Sequence, residues 1–332
     1  MIGGLKANLQ LFVTRRCQLR CRYCPIRKGE DSMSAETARK GADLLLGHRS
    51  ARLRLDFGGG EPLLNFGVVR ETAAYAAGRA RALGKDLRFY MVTNAVLLDD
   101  AVLDWAKREG VLLELSLDGA REDHNRFKTA HERGLDAYEA TRAGVQRAAR
   151  AGAPHFVIMV ASPVNVRRLA ENFEHLLDLG ARRVDISYAI GGIWSREDGE
   201  AFFAQLEEIL RRHARALESG EIYLGNARKR VEPTILNSEL MVDVDGGLHQ
   251  MSEWMFETTP ATGTAPFPLG SVHDAPDINA LAWSRFRSYY TLVRLHEGRP
   301  SVREALLNNI AFGLRVGRFF RERGGRLGRV PA

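Results

Sequence analysis

All three cysteines of this 332-residue chain lie in the stretch Arg15-Arg16-Cys17-Gln18-Leu19-Arg20-Cys21-Arg22-Tyr23-Cys24-Pro25. Their spacing is Cys-x3-Cys-x2-Cys, which is short enough for three thiolates to converge on one metal centre. An iron–sulfur cube and a closed zinc site each require four ligands. A cube held by three thiolates keeps one iron open to a ligand that is not protein, and this favours a catalytic loop over a structural one.

Two other interpretations of the three cysteines fit the sequence less well. A zinc site would need a fourth ligand, and the nearest histidine, His48, lies 24 residues after Cys24. A disulfide would leave one thiol over, and nothing in the sequence indicates an oxidising compartment. We therefore predict an iron–sulfur cluster with Cys17, Cys21 and Cys24 as its ligands.

The cysteine stretch resembles the signature of the radical S-adenosylmethionine (SAM) superfamily, because Tyr23 precedes the last cysteine and Pro25 follows it. The resemblance implies one [4Fe-4S] cluster whose open iron is chelated by the methionine part of SAM. It also implies an enzyme, in which the reduced cluster cleaves SAM and the resulting 5′-deoxyadenosyl radical takes a hydrogen atom from the substrate. An electron donor such as flavodoxin or ferredoxin is the implied partner.

The composition is ordinary for a globular protein. Hydrophobic residues make up 45% and charged residues 27%, and no apolar run is long enough to span a membrane. The N-terminus shows no signal peptide, and we therefore expect a cytoplasmic protein, since thiols stay reduced there. The net charge of +7 permits acidic partners, but the basic residues are dispersed and no nucleic-acid-binding motif is found, so no nucleic acid is expected as a partner.

The first two-thirds of the chain alternates short apolar segments with helical segments. The predicted strands are Leu9–Thr14, Leu53–Phe57, Leu87–Val92, Leu112–Leu117, His155–Val160 and Arg183–Tyr188. The predicted helices are Ala35–Leu46, Asn65–Leu83, Ala101–Arg108, Ala137–Ala151 and Arg167–Leu179, followed by Ser195–Leu217 and Val302–Arg321. Repeated βα units with right-handed crossovers predict an α/β fold with a parallel barrel or part of one. The family resemblance sharpens this to an open, TIM-like (β/α)6 partial barrel.

The polar motifs of the barrel follow the carboxyl ends of the predicted strands, where the chemistry of barrels collects. The cysteines follow the first strand, Gly58-Gly59-Gly60-Glu61-Pro62 the second, and Thr93-Asn94 the third, while Ser116-Leu117-Asp118-Gly119 closes the fourth. These positions predict one active site at one mouth of the barrel.

Several residues at this mouth resemble the SAM-binding positions of the family. Glycines let backbone approach a ligand closely, and the Glu61 carboxylate can accept from the methionine ammonium. The segment after strand four resembles that of peptide- and protein-modifying members, in which a serine, an aspartate and a later basic residue lie near SAM or substrate. Arg126 is favoured over Lys128 as that basic residue, because arginine grips a carboxylate with two hydrogen bonds. The cofactor-binding candidates are Tyr23, Gly59, Gly60, Glu61, Pro62, Thr93, Asn94, Ser116, Asp118, Arg126 and Asn165, whereas His124 is expected to order its own loop.

The last third of the chain resembles the C-terminal SPASM or twitch extension of peptide-modifying radical SAM enzymes, but it contains no cysteine. That extension normally holds one or two auxiliary clusters, and Met251 stands about where a ligand would be expected. Residues 241–251 read as two short strands around an Asp-Gly turn. We therefore divide the chain into a barrel, residues 1–220, and a degenerate, small α+β extension, residues 221–332.

The substrate-facing residues of this extension are less sharply predicted. If the substrate is a peptide, residues 226–290 are expected to form a lid over the barrel mouth, since a lid can recognise a peptide without metal. His249 and Glu253 are the candidate catalytic residues, and Trp254 is a further candidate to face the substrate.

The cysteine count also bears on the reaction. With all three thiols committed to one cluster, none is left to deliver a hydrogen atom to a substrate radical or to hold a second cluster that accepts an electron. We therefore predict a reaction that is redox-neutral or that returns the electron by another route. The resemblance to maturases of ribosomally made peptides favours a peptide substrate, and a small molecule (a sugar, nucleotide or amino acid) is the alternative.

Overall fold

The computed structural model describes residues 7–24, 26–131, 134–227, 236, 239–251, 269–281, 287–290, 292 and 298–323. Its strands are β1 Asn8–Phe12, β2 Leu19–Cys21, β3 Arg52–Gly58, β4 Asp86–Thr93, β5 Leu112–Ser116, β6 Lys128–Ala130, β7 His155–Ala161, β8 Arg183–Tyr188, β9 Tyr223–Leu224, β10 Leu240–Val242, β11 Gly247–Gln250 and β12 Gly270–Ser271. Its helices are α1 Ala35–Leu46, α2 Phe66–Ala82, α3 Asp100–Glu109, α4 Arg121–Phe127, α5 Ala137–Ala151, α6 Leu169–Asp178, α7 Arg196–Arg212, α8 Ala214–Ser219 and α9 Pro300–Arg323.

Six strands pair in parallel in the order β1-β3-β4-β5-β7-β8, with helices in the crossovers between them. Each of the six predicted strands overlaps one of these, which confirms the predicted (β/α)6 partial barrel. The sheet continues beyond both of its ends, with β10, β11 and β12 past β1 and with β9 past β8. Strand β10 runs parallel to β1, with Leu9 opposite Leu240, and β11 folds back antiparallel to β10. The C-terminal strands therefore extend the barrel sheet instead of forming a sheet of their own.

The two faces of the barrel strands differ in polarity: one is apolar, and the other mixes polar residues with apolar ones such as Phe156 and Ile158 of β7. Alternate residues point to opposite faces, and one face, which includes Leu9, Leu11 and Leu55, is buried in one apolar core with the helices. The registers place polar residues next to one another on the other, concave face, where Gln10 lies opposite Asp56. Its polar residues include Asn8, Gln10, Arg54, Asp56, Tyr90, Glu114, Ser116, Asp185 and Ser187. A complete TIM barrel fills its interior with branched apolar side chains, so this concave face is better suited to holding a polar ligand.

One structural element near the mouth was not predicted from the sequence. Strands β2 and β6 form a separate antiparallel pair that places Cys21 opposite Lys128. Each strand is three residues long and of mixed polarity, so neither carries a period-2 hydrophobic signal. The pair connects the cysteine stretch to the segment after β5.

The C-terminal helix α9 packs against the end of the barrel. The ring of Phe312 stacks on Trp194 with a centroid distance of 4.3 Å, within a larger aromatic cluster that includes Phe202. Two consecutive amides of α9 also bind the loop after β8: Asn309 contacts Gly191 and Gly192, and Asn308 contacts Trp194. None of the helices in the described ranges is long and apolar enough to cross a membrane.

Candidate functional site

The cysteines lie on a loop, residues 15–31, that leaves the end of β1 and closes on itself. We call it the cysteine loop. At its neck, Arg15 N donates to Asp31 O at 2.8 Å and Gly29 N donates to Arg15 O at 3.3 Å. Just behind the neck, the hydroxyls of Thr14 and Ser32 lie 2.7 Å apart. The loop therefore has a defined base from which its side chains project.

Cys17, Cys21 and Cys24 are half-buried free thiols that influence one another. Burial raises the pKa of Cys21 to about 12; the positive charge of Lys128 opposes this shift, and the charges of Cys24 and Cys17 add to it. Leu19 N donates to Cys17 Sγ at 3.4 Å, and Asn94 Nδ2 lies 3.8 Å from the same sulfur. These N–H groups would stabilise a thiolate ligand by hydrogen bonds to its sulfur.

The donor set suits a cluster better than a single ion. Within the described part of the chain, no three side chains of His, Cys, Asp or Glu come close enough together to ligate one metal ion. A four-iron cube spreads its thiolates over different irons, so its ligands do not need to meet at one point. The all-thiolate donor set is also the one that such clusters prefer.

The Gly-Gly-Glu motif after β3 packs directly against the cysteine loop. Gly60 N donates to Thr14 O at 2.7 Å, and Glu61 N donates to Arg16 O at 2.8 Å. A Cβ added to Gly60 would lie 2.1 Å from Arg16 O, and one added to Gly59 would lie 2.5 Å from Thr14 O. These glycines were predicted to let backbone approach a ligand closely; in the structure they allow close approach of Thr14 and of the cysteine loop.

Glu61 is fully buried and joins the motif to the end of β4. Its carboxylate accepts hydrogen bonds from Leu63 N at 3.1 Å, Thr93 Oγ1 at 2.7 Å and Asn94 N at 2.8 Å. Burial raises the pKa of Glu61, and these hydrogen bonds limit the rise. Asn94 Oδ1 in turn accepts from Gln18 Nε2 of the cysteine loop at 3.1 Å. In this structure Glu61 therefore fixes the Thr93–Asn94 turn. A ligand that contacted Glu61 would have to share the carboxylate oxygens with these donors.

A buried ion pair joins β6 to the end of β5, and a hydrogen bond from Tyr23 connects it to the cysteine loop. Lys128 Nζ lies 3.1 Å from Asp118 Oδ1 and donates to Ser116 O at 2.9 Å. Tyr23 donates its hydroxyl hydrogen to Asp118 Oδ2 at 2.6 Å. Burial raises the pKa of Tyr23 well above its ordinary value, and the Asp118 charge raises it further. Arg126, which the sequence favoured as the basic residue near SAM or substrate, is exposed at the end of α4, whereas Lys128 is buried on β6, so a contact of Arg126 with the cofactor stays a prediction.

The structure also places the remaining predicted residues of the barrel. His124 is buried, and its Nδ1 accepts from Asp118 N at 3.3 Å, so it orders its own loop as expected. Asn165 Oδ1 accepts from Ser162 N at 2.7 Å and thereby closes the turn after β7. Pro62 begins the 3-10 turn Pro62–Asn65. Whether these residues bind SAM stays a prediction.

The predicted substrate-facing residues of the extension are only partly described. His249 is buried on β11, and burial lowers its pKa. Met251 packs in an apolar cluster with Phe12 and Met241. Glu253, Trp254 and much of the predicted lid lie outside the described residues, so the lid and the catalytic candidates stay predictions.

A charged network on the concave face was not predicted from the sequence. Arg54 donates to both oxygens of Asp56, at 2.7 and 2.6 Å, and its guanidinium lies 4.9 Å from the ring centroid of Tyr90. Tyr90 donates to Glu114, and Glu239 lies 3.5 Å from Arg54. Burial raises the pKa of Asp56 to about 6, although Arg54 opposes the shift. The available signal was the strict alternation in Arg-Leu-Arg-Leu-Asp-Phe, residues 52–57, in which every second residue is charged.

Comparison with known proteins gives consistent matches. The model of the Radical SAM superfamily matches residues 11–177. The chain is 30% identical over 213 residues to PqqA peptide cyclase of Gluconobacter oxydans, a match that covers 61% of this chain and 56% of the relative. It is 28% identical over 184 residues to GTP 3',8-cyclase of Rhodococcus opacus, covering 54% of this chain and 50% of the relative. The matches thus span little more than half the length of these curated relatives.

Among solved structures, the fold is similar to that of anSMEcpe with bound AdoMet, with a TM-score of 0.73 and 15% identity. The likeness covers 96% of this chain and 97% of that one. The same neighbour has also been solved with AdoMet and the Cp18Cys peptide. At this identity the likeness shows a shared fold, which here includes the C-terminal region.

Proposed function

The chain belongs to the radical SAM superfamily, and from this premise we propose that it abstracts a hydrogen atom from a ribosomally synthesised peptide and so modifies it. It is a radical SAM enzyme, and its cofactors are a [4Fe-4S] cluster and SAM. When bound, the reduced cluster and SAM supply the radical that abstracts hydrogen. The chain supplies the loop that holds them and the concave face that receives the substrate.

The roles that we propose for the site residues follow from their contacts. Cys17, Cys21 and Cys24 hold the cluster, and the ends of β3, β4 and β5 surround SAM. Glu61 and Asp118 already accept hydrogen bonds from protein groups, so we assign them to positioning these strand ends. This role differs from direct contact with the SAM ammonium.

The observation that carries the peptide proposal is the fold likeness to anSMEcpe, which runs through nearly the whole of both chains. That neighbour has been solved with a peptide, and a second relative is a peptide cyclase. The concave face adds fixed polar groups, among them the Arg54–Asp56 pair and Tyr90, that can hydrogen-bond to a peptide. These polar groups support an extended polar substrate inside the barrel.

A small-molecule substrate is the second candidate, because GTP 3',8-cyclase is among the relatives. The same concave face could hydrogen-bond to a nucleotide. The two candidates differ in what should stimulate the enzyme.

The test uses the full chain, reconstituted anaerobically with iron and sulfide, and supplied with SAM and a reductant. Release of 5′-deoxyadenosine is measured with candidate precursor peptides and with GTP, and the masses of the peptides are measured by mass spectrometry. We expect a precursor peptide to stimulate release of 5′-deoxyadenosine and to change in mass. With the Cys21→Ala variant, we expect neither release nor a change in the mass of the peptide. Stimulation by GTP with all peptide masses unchanged would replace the peptide with a small molecule as substrate.

A further inference from the structure

The hairpin formed by β10 and β11, Leu240–Gln250, lies beside the cysteine loop although more than 200 residues of chain separate them. Strand β10 pairs with β1, the strand that leads into the loop, and Gln10 lies opposite Met241. The hairpin therefore has a fixed position relative to the base of the loop.

An ion pair joins the neck of the loop to this hairpin. Arg15 closes the neck through its backbone N and O, and its guanidinium forms a salt bridge with Asp243 at the end of β10. The two side chains are only 19% and 7% exposed. Asp243 Oδ1 also accepts from Val244 N at 2.7 Å, which orients the carboxylate towards Arg15. Because the pair is largely shielded from water, it is less weakened by solvent than a surface pair.

A second contact holds the other limb of the loop. Met241 and Met251 form an apolar cluster with Phe12 at the end of β1, and Ile26 packs against it. Ile26 follows the last cysteine by two residues. The hairpin thus contacts the loop before Cys17 through Asp243, and through Met241 it shares an apolar cluster with Ile26, after Cys24.

We propose that the β10–β11 hairpin braces the cysteine loop, with Asp243 as a positioning residue that holds the neck closed through Arg15. The extension contains no cysteine and so offers no further thiolate ligand. In this proposal it stabilises the cysteine loop through packing and charge, and opening of the neck frees the loop to release iron. The brace therefore slows the loss of iron, whatever substrate the enzyme accepts.

The test compares two substitutions in the same hairpin. Asp243→Asn keeps the size of the side chain and an acceptor for Val244 N, but removes the charge that holds Arg15. Asp245→Asn is the matched control, because Asp245 is exposed and its Oδ1 accepts only a local hydrogen bond from Gly247 N among the contacts described. Both variants are loaded with iron and sulfide, and transfer of iron to a ferrous chelator is followed by absorbance.

We expect Asp243→Asn to release iron about tenfold faster than the wild type, which corresponds to about 1.4 kcal/mol. The control should stay within about twofold, since exposed charges of this kind contribute little. Equal release rates in Asp243→Asn and Asp245→Asn would overturn the proposal. The readout needs no substrate, so its result is independent of whether the peptide proposal holds.

A double-mutant cycle separates bracing from general destabilisation. Arg15→Gln should speed iron release as much as Asp243→Asn, and the double variant should be no faster than either single one. Circular dichroism of the iron-free variants reports their folding, and Arg15→Gln carries the test if Asp243→Asn fails to fold. Additive effects in the double variant would show that the two residues act separately, and the brace would be rejected.

Discussion

At the scale of single residues, the site depends on buried carboxylates that the protein itself already uses. The Glu61 carboxylate accepts three hydrogen bonds, from Leu63, Thr93 and Asn94. The Asp118 carboxylate accepts a hydrogen bond from Tyr23 and forms an ion pair with Lys128. Each carboxylate lies where the sequence analysis expected a contact with the cofactor. Their partners show that they hold the walls of the site in place.

The Glu61→Ala substitution should therefore lower the stability of the protein. It leaves the donors of Leu63, Thr93 and Asn94 inside the protein without an acceptor, and each such group costs about 1–3 kcal/mol. We expect the free energy of unfolding of the iron-free protein to fall by at least about 3 kcal/mol in urea titrations, the lower limit for three such groups, with Glu61→Gln in between. The exposed Glu71→Ala serves as the control, and equal stability of the Glu61 and Glu71 variants would contradict this role for Glu61.

His124 should make the stability of the protein depend on pH. Burial, with the charge of Lys128, holds its pKa well below the ordinary value, so the folded protein keeps it neutral. The unfolded chain binds a proton below about pH 6.5, and stability is therefore lost as the pH falls. Between pH 7 and pH 5, His124→Asn should reduce this loss by about 2 kcal/mol. Urea titrations at the two pH values measure it, and an unchanged pH dependence in His124→Asn would contradict this role of the buried imidazole.

The sequence could not show which basic residue after β5 is buried beside Asp118. Arg126 and Lys128 have similar spacing from Asp118, and charge alone does not separate them. The choice depends on the pairing of β6 with β2, which turns Lys128 towards the site. That pairing joins segments about a hundred residues apart, and local patterns carry no information about it.

At the scale of elements, the barrel strands were predictable because each is a run of mostly apolar residues buried on its helical side. Their order follows from right-handed βα crossovers. The short strands β2, β6, β9 and β12 were not predictable, since two or three residues give no period. The individual contacts of α9 were likewise not predictable, because they depend on side chains that meet only in the fold, such as Trp194 and Phe312.

Asn309 should be the main polar anchor of α9. Its side chain is fully buried, accepts from Gly191 N at 2.8 Å and donates to Gly192 O at 2.7 Å. Asn309→Ala leaves both backbone groups unpaired and should cost about 2–3 kcal/mol in urea unfolding. Asn308→Ala removes a similar pair of bonds to Trp194 from a half-buried site, where water can take its place. A larger cost for Asn308→Ala than for Asn309→Ala would show that burial is not the deciding factor.

At the scale of the whole molecule, one sheet joins the barrel to the C-terminal region. The proposed division at residue 220 falls between β8 and β9, yet β9 pairs with β8 and β10 pairs with β1. The two regions therefore share hydrogen bonds and an apolar core, in which Leu9 and Leu240 both take part.

We expect the iron-free protein to unfold in a single transition. Because the sheet is continuous, loss of the C-terminal strands should expose β1 and weaken the barrel with them. Far-UV circular dichroism and tryptophan fluorescence, measured across one urea titration, should give coincident curves. Two separate transitions would mean that the regions on either side of residue 220 unfold independently.

The position of β1 has a consequence for how the protein is made. Leu9 pairs with Leu55 on one side and with Leu240 on the other, so its second partner leaves the ribosome about 230 residues after it. At a synthesis rate of about 5–20 residues per second, the outer edge of β1 stays open for roughly 10–50 s. An open strand edge is a template for pairing with other chains. The nascent protein is therefore most exposed to aggregation during translation, until β10 has emerged and covered the strand that was made first.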